Sequence, residues 1–220
     1  MARLNVSPTR MVLQDLTARL KTSSRGHKLL KDKQDELMRR FIEAVRHNLE
    51  LRREVEAALA ESFKDFMLAA AVMSPERLEQ AVSFSKFQML AEVTEVNMMS
   101  VPVPRIRYER RPNPNFPELE SQQVESYGYA QTSADLDEAI ERLNSIMDKL
   151  LELAEVEKTC QLLAEDIEST RRRVNALEYR TIPDLEETIK YIRMKLDEDE
   201  RATLTRLMKV KDLIDEEGAI

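Results

Sequence analysis

The side chains that most often carry catalysis or bind metals are scarce in this 220-residue sequence. Two histidines, His27 and His47, and one cysteine, Cys160, do not supply the four ligands of a structural zinc site. With three glycines, the chain also lacks the glycine-rich loop ending in Lys-Ser/Thr that holds phosphates. The residue types therefore predict no catalytic, cofactor-binding or metal site, and we do not expect an enzyme.

These residues have simpler structural interpretations. His27 follows Gly26 on an apolar stripe, where a polar residue commonly fixes the register of paired helices. Cys160 falls on the apolar stripe of the C-terminal half of the chain and is expected to be a small core residue. The arginines at 171–173 are expected on a solvated helix face, because only one of three consecutive helical residues can face a partner.

The composition is typical of long helices. Ala, Glu, Lys, Leu and Arg make up about half of the chain, a share found in coiled coils. Charged residues reach 34%, aromatic residues only 5%, and Trp is absent, so the chain cannot fill a large globular core. Residues 1–53 carry a net charge of +7 and the remainder −14, which favours pairing of the two ends. The acidic total disfavours nucleic-acid binding.

Apolar residues recur at intervals of three and four between Pro8 and Pro75, a helical pattern that only Gly26 interrupts. A helix of about 60 residues is ~90 Å long and needs a partner helix to bury its stripe. Further apolar residues, from Ile42 to Phe66, form a second stripe as the helix drifts from a strict heptad. The main stripe comprises Leu13, Leu16, Leu20, Ser23, His27, Leu30, Gln34, Leu37, Phe41, Ala44, Asn48, Leu51, Val55 and Ala58.

The partner helix is predicted at the other end of the chain. Residues 132–135 supply an N-cap and an acidic first turn, and only Pro183 interrupts the next 80 residues. Pro183 is expected to bend this helix locally rather than end it, because the apolar stripe resumes at once. We expect antiparallel helices over about 8–72 and 133–213, with Leu20 opposite residues 196–207. The second helix's stripe includes Leu136, Ile140, Leu143, Met147, Leu150, Cys160, Leu163, Val174, Leu185, Ile192, Leu207 and Val210.

The central region, residues 74–131, differs from both helices. A short helix is predicted from Ser74 to about Phe87. β-Branched residues at 92–96 and 100–108 predict a small hairpin, whose prolines at 102 and 104 confine the second strand to an edge. A polar loop is expected at 111–130. The predicted fold class is mainly α: a long antiparallel two-helix coiled coil, with an N-terminal helix (1–73), the central α/β-hairpin region (74–131) and a C-terminal helix (132–220).

The sequence predicts no direct membrane insertion. Its first residues contain no apolar segment typical of a signal peptide. The longest uncharged stretch, about 66–75, is half the roughly 20 residues that a membrane helix needs. A single cysteine fits a reducing compartment. We therefore expect a soluble intracellular protein that reaches a membrane only through partners.

Several segments match one family in order along nearly the whole chain. Residues 7–13 read SPTRMVL and residues 25–37 read RGHKLLKDKQDEL, which resembles the N-terminal signature of the D subunit of V-type and A-type rotary ATPases. Residues 171–192, RRRVNALEYRTIPDLEETIKYI, resemble the second signature, which continues through 196–201 and 206–211. Residues 97–104, NMMSVPVP, resemble the family's hairpin, with Ser100 where glycine is usual.

The resemblance implies a non-catalytic central rotor shaft of the bacterial or archaeal type, without a cofactor. Such a shaft lies on the axis of a catalytic hexamer of A and B subunits. It transmits rotation through a coupling subunit (d/C type) to a membrane ring that translocates protons or sodium ions. A small companion, the F subunit, binds its side. The implied location is cytoplasmic, peripheral on the cytoplasmic membrane face, within a complex that hydrolyses or synthesises ATP.

On this basis we expect two interaction surfaces. The end where the termini meet, implied to lie inside the hexamer, combines apolar and basic residues: Leu4, Val6, Arg10, Arg201, Arg206, Leu207, Lys209, Val210 and Lys211. The edge strand and part of the C-terminal helix are expected to bind the F subunit. That surface comprises Met98, Met99, Val101, Val103, Ile106, Tyr108, Leu150 and Leu163, with a rim of Arg105, Arg107 and Arg110.

Two other classes of protein remain open from the residues alone. A generic coiled-coil scaffold or chaperone-like tether would also be an antiparallel hairpin, but it would not need the paired signatures. The gamma shaft of F-type ATPases carries a larger α/β insertion than the roughly 58 residues available here. Co-purification with a nucleotide-binding hexamer would distinguish the shaft interpretation from the tether interpretation.

Overall fold

The computed structural model of the chain describes residues 4–83, 87–112 and 132–217. The predicted mainly-α fold class is confirmed: the long N-terminal helix packs against the C-terminal helices, and a two-stranded antiparallel hairpin lies between them in sequence. In chain order the elements are α1 (Arg10–Val72), α2 (Pro75–Ser83), β1 (Phe87–Met98), β2 (Val101–Pro112), α3 (Ala134–Ala176), a π-helical turn (Leu177–Thr181) and α4 (Ile182–Glu217).

The buried face of α1 matches the main stripe predicted from the sequence. Its first turn is capped by Thr9, whose Oγ1 accepts the backbone N–H of Val12 at 3.3 Å. Every position of the main stripe from Leu13 to Ala58 is buried or half-buried. On the second stripe, Ile42, Leu49 and Phe63 are exposed, which leaves apolar surface on the outer side of α1. In α3 the predicted Met147 is exposed, and its neighbour Ile146 is buried instead.

The chain forms two compact units, and unit 1 combines the described residues up to Glu36 with those from Ile167 onward. Its core is Leu16 packed against Leu185, Ile189 and Ile192, with Leu20 on the margin. The expectation that Leu20 lies opposite 196–207 is therefore wrong. The helices are offset from that register, and the ion pairs Arg10–Glu200 (2.6 Å) and His27–Glu178 (3.4 Å) show the actual alignment.

The π-helical turn precedes Pro183, where the sequence predicts a local bend. The Ile182 N–H donates to the carbonyl of Leu177, five residues earlier, in place of the usual spacing of four. A proline has no N–H, and its ring clashes with the carbonyl four residues before it. Widening the preceding turn accommodates that clash, and the helix continues, so that Leu185 is buried again.

Unit 2 comprises Leu37–Asp166. The Ser62 hydroxyl, fully buried, donates to the carbonyl of Ala139 at 3.1 Å and joins α1 to α3. α2 packs Ala81 against Ala69 and Leu136. The predicted short helix is shorter than expected, since α2 ends at Ser83 and Phe87 already belongs to β1.

The hairpin has twelve residues in each strand and is longer than predicted, with Phe87 facing Pro112 and Met98 facing Val101. Arg111 and Pro112, expected in a loop, end β2, and the rest of that loop lies outside the described residues. Met99 and Ser100 form the turn with φ of 55° and 71°, as a type I′ turn requires. The Asn97 side-chain oxygen accepts the Ser100 N–H at 2.8 Å, which supports a turn made without glycine.

Candidate interaction surfaces

The histidines and the cysteine occupy structural positions. His27 and His47 contact Glu178 and Glu152 at 3.4 and 3.3 Å, each across a pair of helices. Partial burial, and secondarily the charge of Glu157, raise the pKa of the Cys160 thiol, which disfavours the reactive thiolate. Within the described residues, no group of three or more His, Cys, Asp or Glu could hold a metal ion. No helix in that part of the chain is long and apolar enough to cross a membrane.

The hairpin is attached to α3 along the outer edge of β2. The Ile106 N–H donates to Oε2 of Glu155 at 2.8 Å, in a half-buried position. Arg110 donates to the carbonyl of Asn144 at 3.1 Å and pairs with Asp148 at 3.0 Å. Arg110, expected at a rim, is thus engaged within the chain.

The residues predicted to bind the F subunit separate into three groups. Val101, Val103 and Leu163 are buried within unit 2, with exposed fractions of 4%, 5% and 0%. Met98, Met99, Ile106 and Leu150 are half-buried. Tyr108 is 40% exposed and is the most accessible member of the set. The surface available to a partner therefore centres on Tyr108, whereas the buried valines lie on the other face of β2.

β1 carries exposed apolar residues that the predicted surface did not include. Leu90, Val93 and Val96 are 48%, 64% and 42% exposed. Val93 and Val96 lie in the segment that the sequence predicts as a strand, so their β-branched type was a usable signal. The accessible edge was expected on β2, but there the Ile106 N–H binds Glu155 of α3.

The predicted end surface is exposed, but its parts do not all meet. Arg10, the first residue of α1, pairs with Glu200, and α4 continues beyond that point to Glu217. The N–H of Leu4 donates to Oγ1 of Thr188 at 3.2 Å, twelve residues before Glu200 on α4. Leu4 is therefore not brought to the α4 end, where the exposed residues include the apolar and basic side chains Arg201, Leu204, Arg206, Leu207, Met208, Lys209, Val210, Lys211 and Ile214. We call these nine residues the α4 surface; Leu204, Met208 and Ile214 were not among the predicted residues.

A third surface lies where α1 ends and α2 begins. Five large apolar side chains there are between 54% and 77% exposed: Phe63, Met67, Leu68, Val72 and Val82. We call them the α1–α2 patch. Phe63 and Met67 lie on one side of α1 and Leu68 and Val72 towards the other, so exposed apolar surface runs around this end of the helix.

The comparisons with known proteins agree along the whole length. The family of the ATP synthase D subunit matches residues 12–212. The V-type ATP synthase D subunit of Clostridium novyi (strain NT) is 58% identical over 217 residues, covering 99% of this chain and 98% of that protein. Its counterpart in Clostridium botulinum (strain ATCC 19397 / Type A) is 59% identical over 214 residues, 97% of each chain. The one in Clostridium botulinum (strain Alaska E43 / Type E3) is 57% identical over 220 residues, covering 99% of this chain and all of that protein. The chain therefore belongs to the ATP synthase D-subunit family.

Proposed function

We propose that this chain is the non-catalytic central-stalk subunit of a V/A-type ATPase, on the cytoplasmic face of a membrane. It transmits rotation between a catalytic hexamer of A and B subunits and an ion-translocating membrane ring. The observation that carries the proposal is the family match over nearly the whole chain. In unit 1 α1 packs against α4 and in unit 2 it packs against α3, and such paired long helices suit this role. We keep the division into residues 1–73, 74–131 and 132–220 as part of this proposal.

The α4 surface is the proposed bearing inside the hexamer. Successive helical residues are rotated by about 100°, so Leu204, Leu207 and Ile214 share one side and Arg206 and Lys209 the other. A shaft turns only if conformational changes in the hexamer contact its sides unequally, because equal contact in all states gives no difference in free energy. The exposed end of α4 supplies that inequality, since its leucines and Ile214 lie on one side, with Lys211 among them, while Arg206 and Lys209 lie on the other.

The F subunit is proposed to bind the face of the hairpin that carries Tyr108, together with the adjoining part of α3 near Leu150. Half-buried methionines, Met98 and Met99, adapt readily to a partner's surface. Arg105 and Arg107 are exposed and provide the rim. The coupling subunit (d/C type) is proposed to bind the α1–α2 patch, whose five large apolar side chains are all more than half exposed.

Co-purification tests the overall proposal. The tagged full-length chain, co-expressed with the other ATPase subunits of its source, should recover a hexamer with ATPase activity. The purified chain alone should hydrolyse no ATP. A chain that recovers no A and B subunits would contradict the shaft and favour a scaffold or tether.

The α4 surface has a matched test. The double variant Leu204→Ser, Leu207→Ser should weaken hexamer binding and reduce ATP-driven ion pumping, while the F subunit still binds. Leu29→Ser alters an exposed leucine of α1 in unit 1 and serves as the control. Equal pumping by the double variant and the control would show that the α4 surface is not the contact with the hexamer.

The contact with the F subunit is tested at Tyr108. Tyr108→Ser should lower the affinity for the F subunit, measured by calorimetry with the purified partner. Val82→Ser, which alters an exposed residue of α2, should not change that affinity. An unchanged affinity in Tyr108→Ser would place this contact elsewhere.

A further inference from the structure

The two outer edges of the hairpin differ in what covers them. In an antiparallel pair, alternate residues direct their backbone groups away from the neighbouring strand. On β2 these residues include Pro102 and Pro104, which have no N–H, and Ile106, whose N–H binds Glu155 of α3. The corresponding outward residues of β1 are Met89, Ala91, Val93, Glu95 and Asn97.

The outer edge of β1 has no strand partner over residues 88–98 in the part of the chain that the structure describes. Among the described residues, no backbone hydrogen bond joins positions 88–98 to an element other than β2. The strand contains no proline, lysine or arginine, and its charged residues are the two exposed glutamates Glu92 and Glu95. Its apolar residues Leu90, Val93 and Val96 are exposed. A twelve-residue edge of this kind is a template for another strand.

We propose that β1 pairs with β1 of a second copy of this chain, giving a four-stranded sheet with a two-fold axis at Val93. In this antiparallel register Leu90 faces Val96, Ala91 faces Glu95, Glu92 faces Thr94, and Val93 faces its own copy. The three exposed apolar residues of each copy thus face one another, and no two like charges are directly opposite.

Neighbouring registers fit less well. An axis at Glu92 or at Glu95 places that carboxylate opposite its own copy, which destabilises the pair. An axis at Thr94 places Glu92 opposite Val96 and Glu95 opposite Val93, so both valines lose their apolar partners. Charge and side-chain type therefore select the axis at Val93.

The pairing joins one strand from each copy, a contact smaller than the ~1,200 Å² of a stable interface, so a reversible dimer is expected. It leaves the β2–α3 side of the hairpin free. The proposed function needs a single copy on the axis, so the dimer belongs to the chain before assembly. Self-association through the edge of β1 is thus an additional property, separate from the contact proposed for the hexamer.

Sedimentation velocity of the full-length chain tests the proposal, over about 5 to 500 µM, where weak dimers form. A reversible monomer–dimer equilibrium is expected. Val93→Pro removes an outward N–H without touching the β1–β2 ladder, and should weaken the dimer at least about tenfold. Ala91→Lys places a lysine opposite Glu95 of the other copy, at two symmetry-related positions, and should tighten the dimer. Ala70→Lys, an exposed alanine of α1, is the charge-matched control.

Cysteine crosslinking reports the register. In a Cys160→Ser background, Val93→Cys should form a disulfide-linked dimer on mild oxidation. Gln88→Cys, exposed on the same strand, faces Met98 in this register and should not. Circular dichroism verifies that each variant is folded.

Three results would overturn the proposal: a monomer at every concentration, a dimer unaffected by Val93→Pro, or equal crosslinking at positions 88 and 93. A monomeric chain in which Val93→Pro impairs only assembly with other subunits would assign the edge to a partner's strand instead. None of these results bears on co-purification with the hexamer, so the proposed function stands or fails separately.

Discussion

The hydrogen bond from Ile106 to Glu155 should hold the hairpin against α3, and Glu155→Ala removes it. The donor–acceptor distance is 2.8 Å and the site is half-buried, so the released N–H is not fully compensated by water. Hydrogen bonds to charged groups contribute about 1.5–3 kcal/mol. Because a tenfold change corresponds to about 1.4 kcal/mol, local opening of the hairpin edge should become roughly 10- to 100-fold more frequent.

The effect should be local. Arg110 still pairs with Asp148 at 3.0 Å, and the seam between α1 and α3 does not include this bond. We therefore expect the thermal unfolding of the helices to change little while the hairpin loosens. Glu155→Gln keeps an acceptor oxygen without the charge, and a neutral bond is about half as strong, so its effect should be intermediate.

Amide hydrogen exchange of Ile106 is the measurement. Exchange there should accelerate in Glu155→Ala and, less strongly, in Glu155→Gln, with amides of the helical seam unchanged. Glu152→Ala is the control, since Glu152 contacts His47 on α1 rather than the hairpin. Equal exchange at Ile106 in Glu155→Ala and Glu152→Ala would show that this bond does not hold the edge.

Three further predictions concern the core, the thiol and the turn. Leu37→Ala should lower the free energy of unfolding by about 2–5 kcal/mol, because Leu37 is fully buried. Leu29→Ala, at a 70% exposed site, should lower it little. Denaturant unfolding compares the two variants, and equal losses would contradict the packing of Leu37. The raised pKa of Cys160 predicts slower alkylation than in the unfolded chain at pH 8, with the rate still rising at pH values where the unfolded thiol has levelled off. The same shift stabilises the fold below the unfolded thiol's pKa and is lost as pH rises through the folded pKa. Ser100→Gly should stabilise the hairpin by about 1 kcal/mol, since glycine adopts a φ of 71° without strain. Slower hydrogen exchange of the hairpin amides would confirm this stabilisation. Unchanged or faster exchange would indicate that the turn with Ser100 is not strained.

The helices were predictable because their signal is local. Apolar residues every three or four positions mark the buried face of α1, and every position of the main stripe from Leu13 to Ala58 is buried or half-buried. The continuation of the helix past Pro183 was also predictable from neighbouring residues, because the apolar stripe resumes there.

The alignment of the helices was not predictable from the same signal. A stripe that repeats about every seven residues is buried almost equally well when the partner slides along it. Leu20 therefore suited either 196–207 or the actual cluster with Leu185. The pairs Arg10–Glu200 and His27–Glu178 distinguish the registers, but many charged residues are spaced closely enough to offer similar pairs in another register.

The hairpin shows why the candidate site was only partly predictable. Pro102 and Pro104 correctly indicate an outer edge, because a proline cannot donate to a neighbouring strand. An edge that cannot accept a strand is, however, well suited to lie against a helix, where a single carboxylate such as Glu155 binds the next outward N–H. The prolines therefore mark the edge that the chain itself covers. Within the described residues the edge without a strand partner is that of β1 over 88–98, and its lack of proline and basic residues is the sequence feature behind the pairing that we propose there.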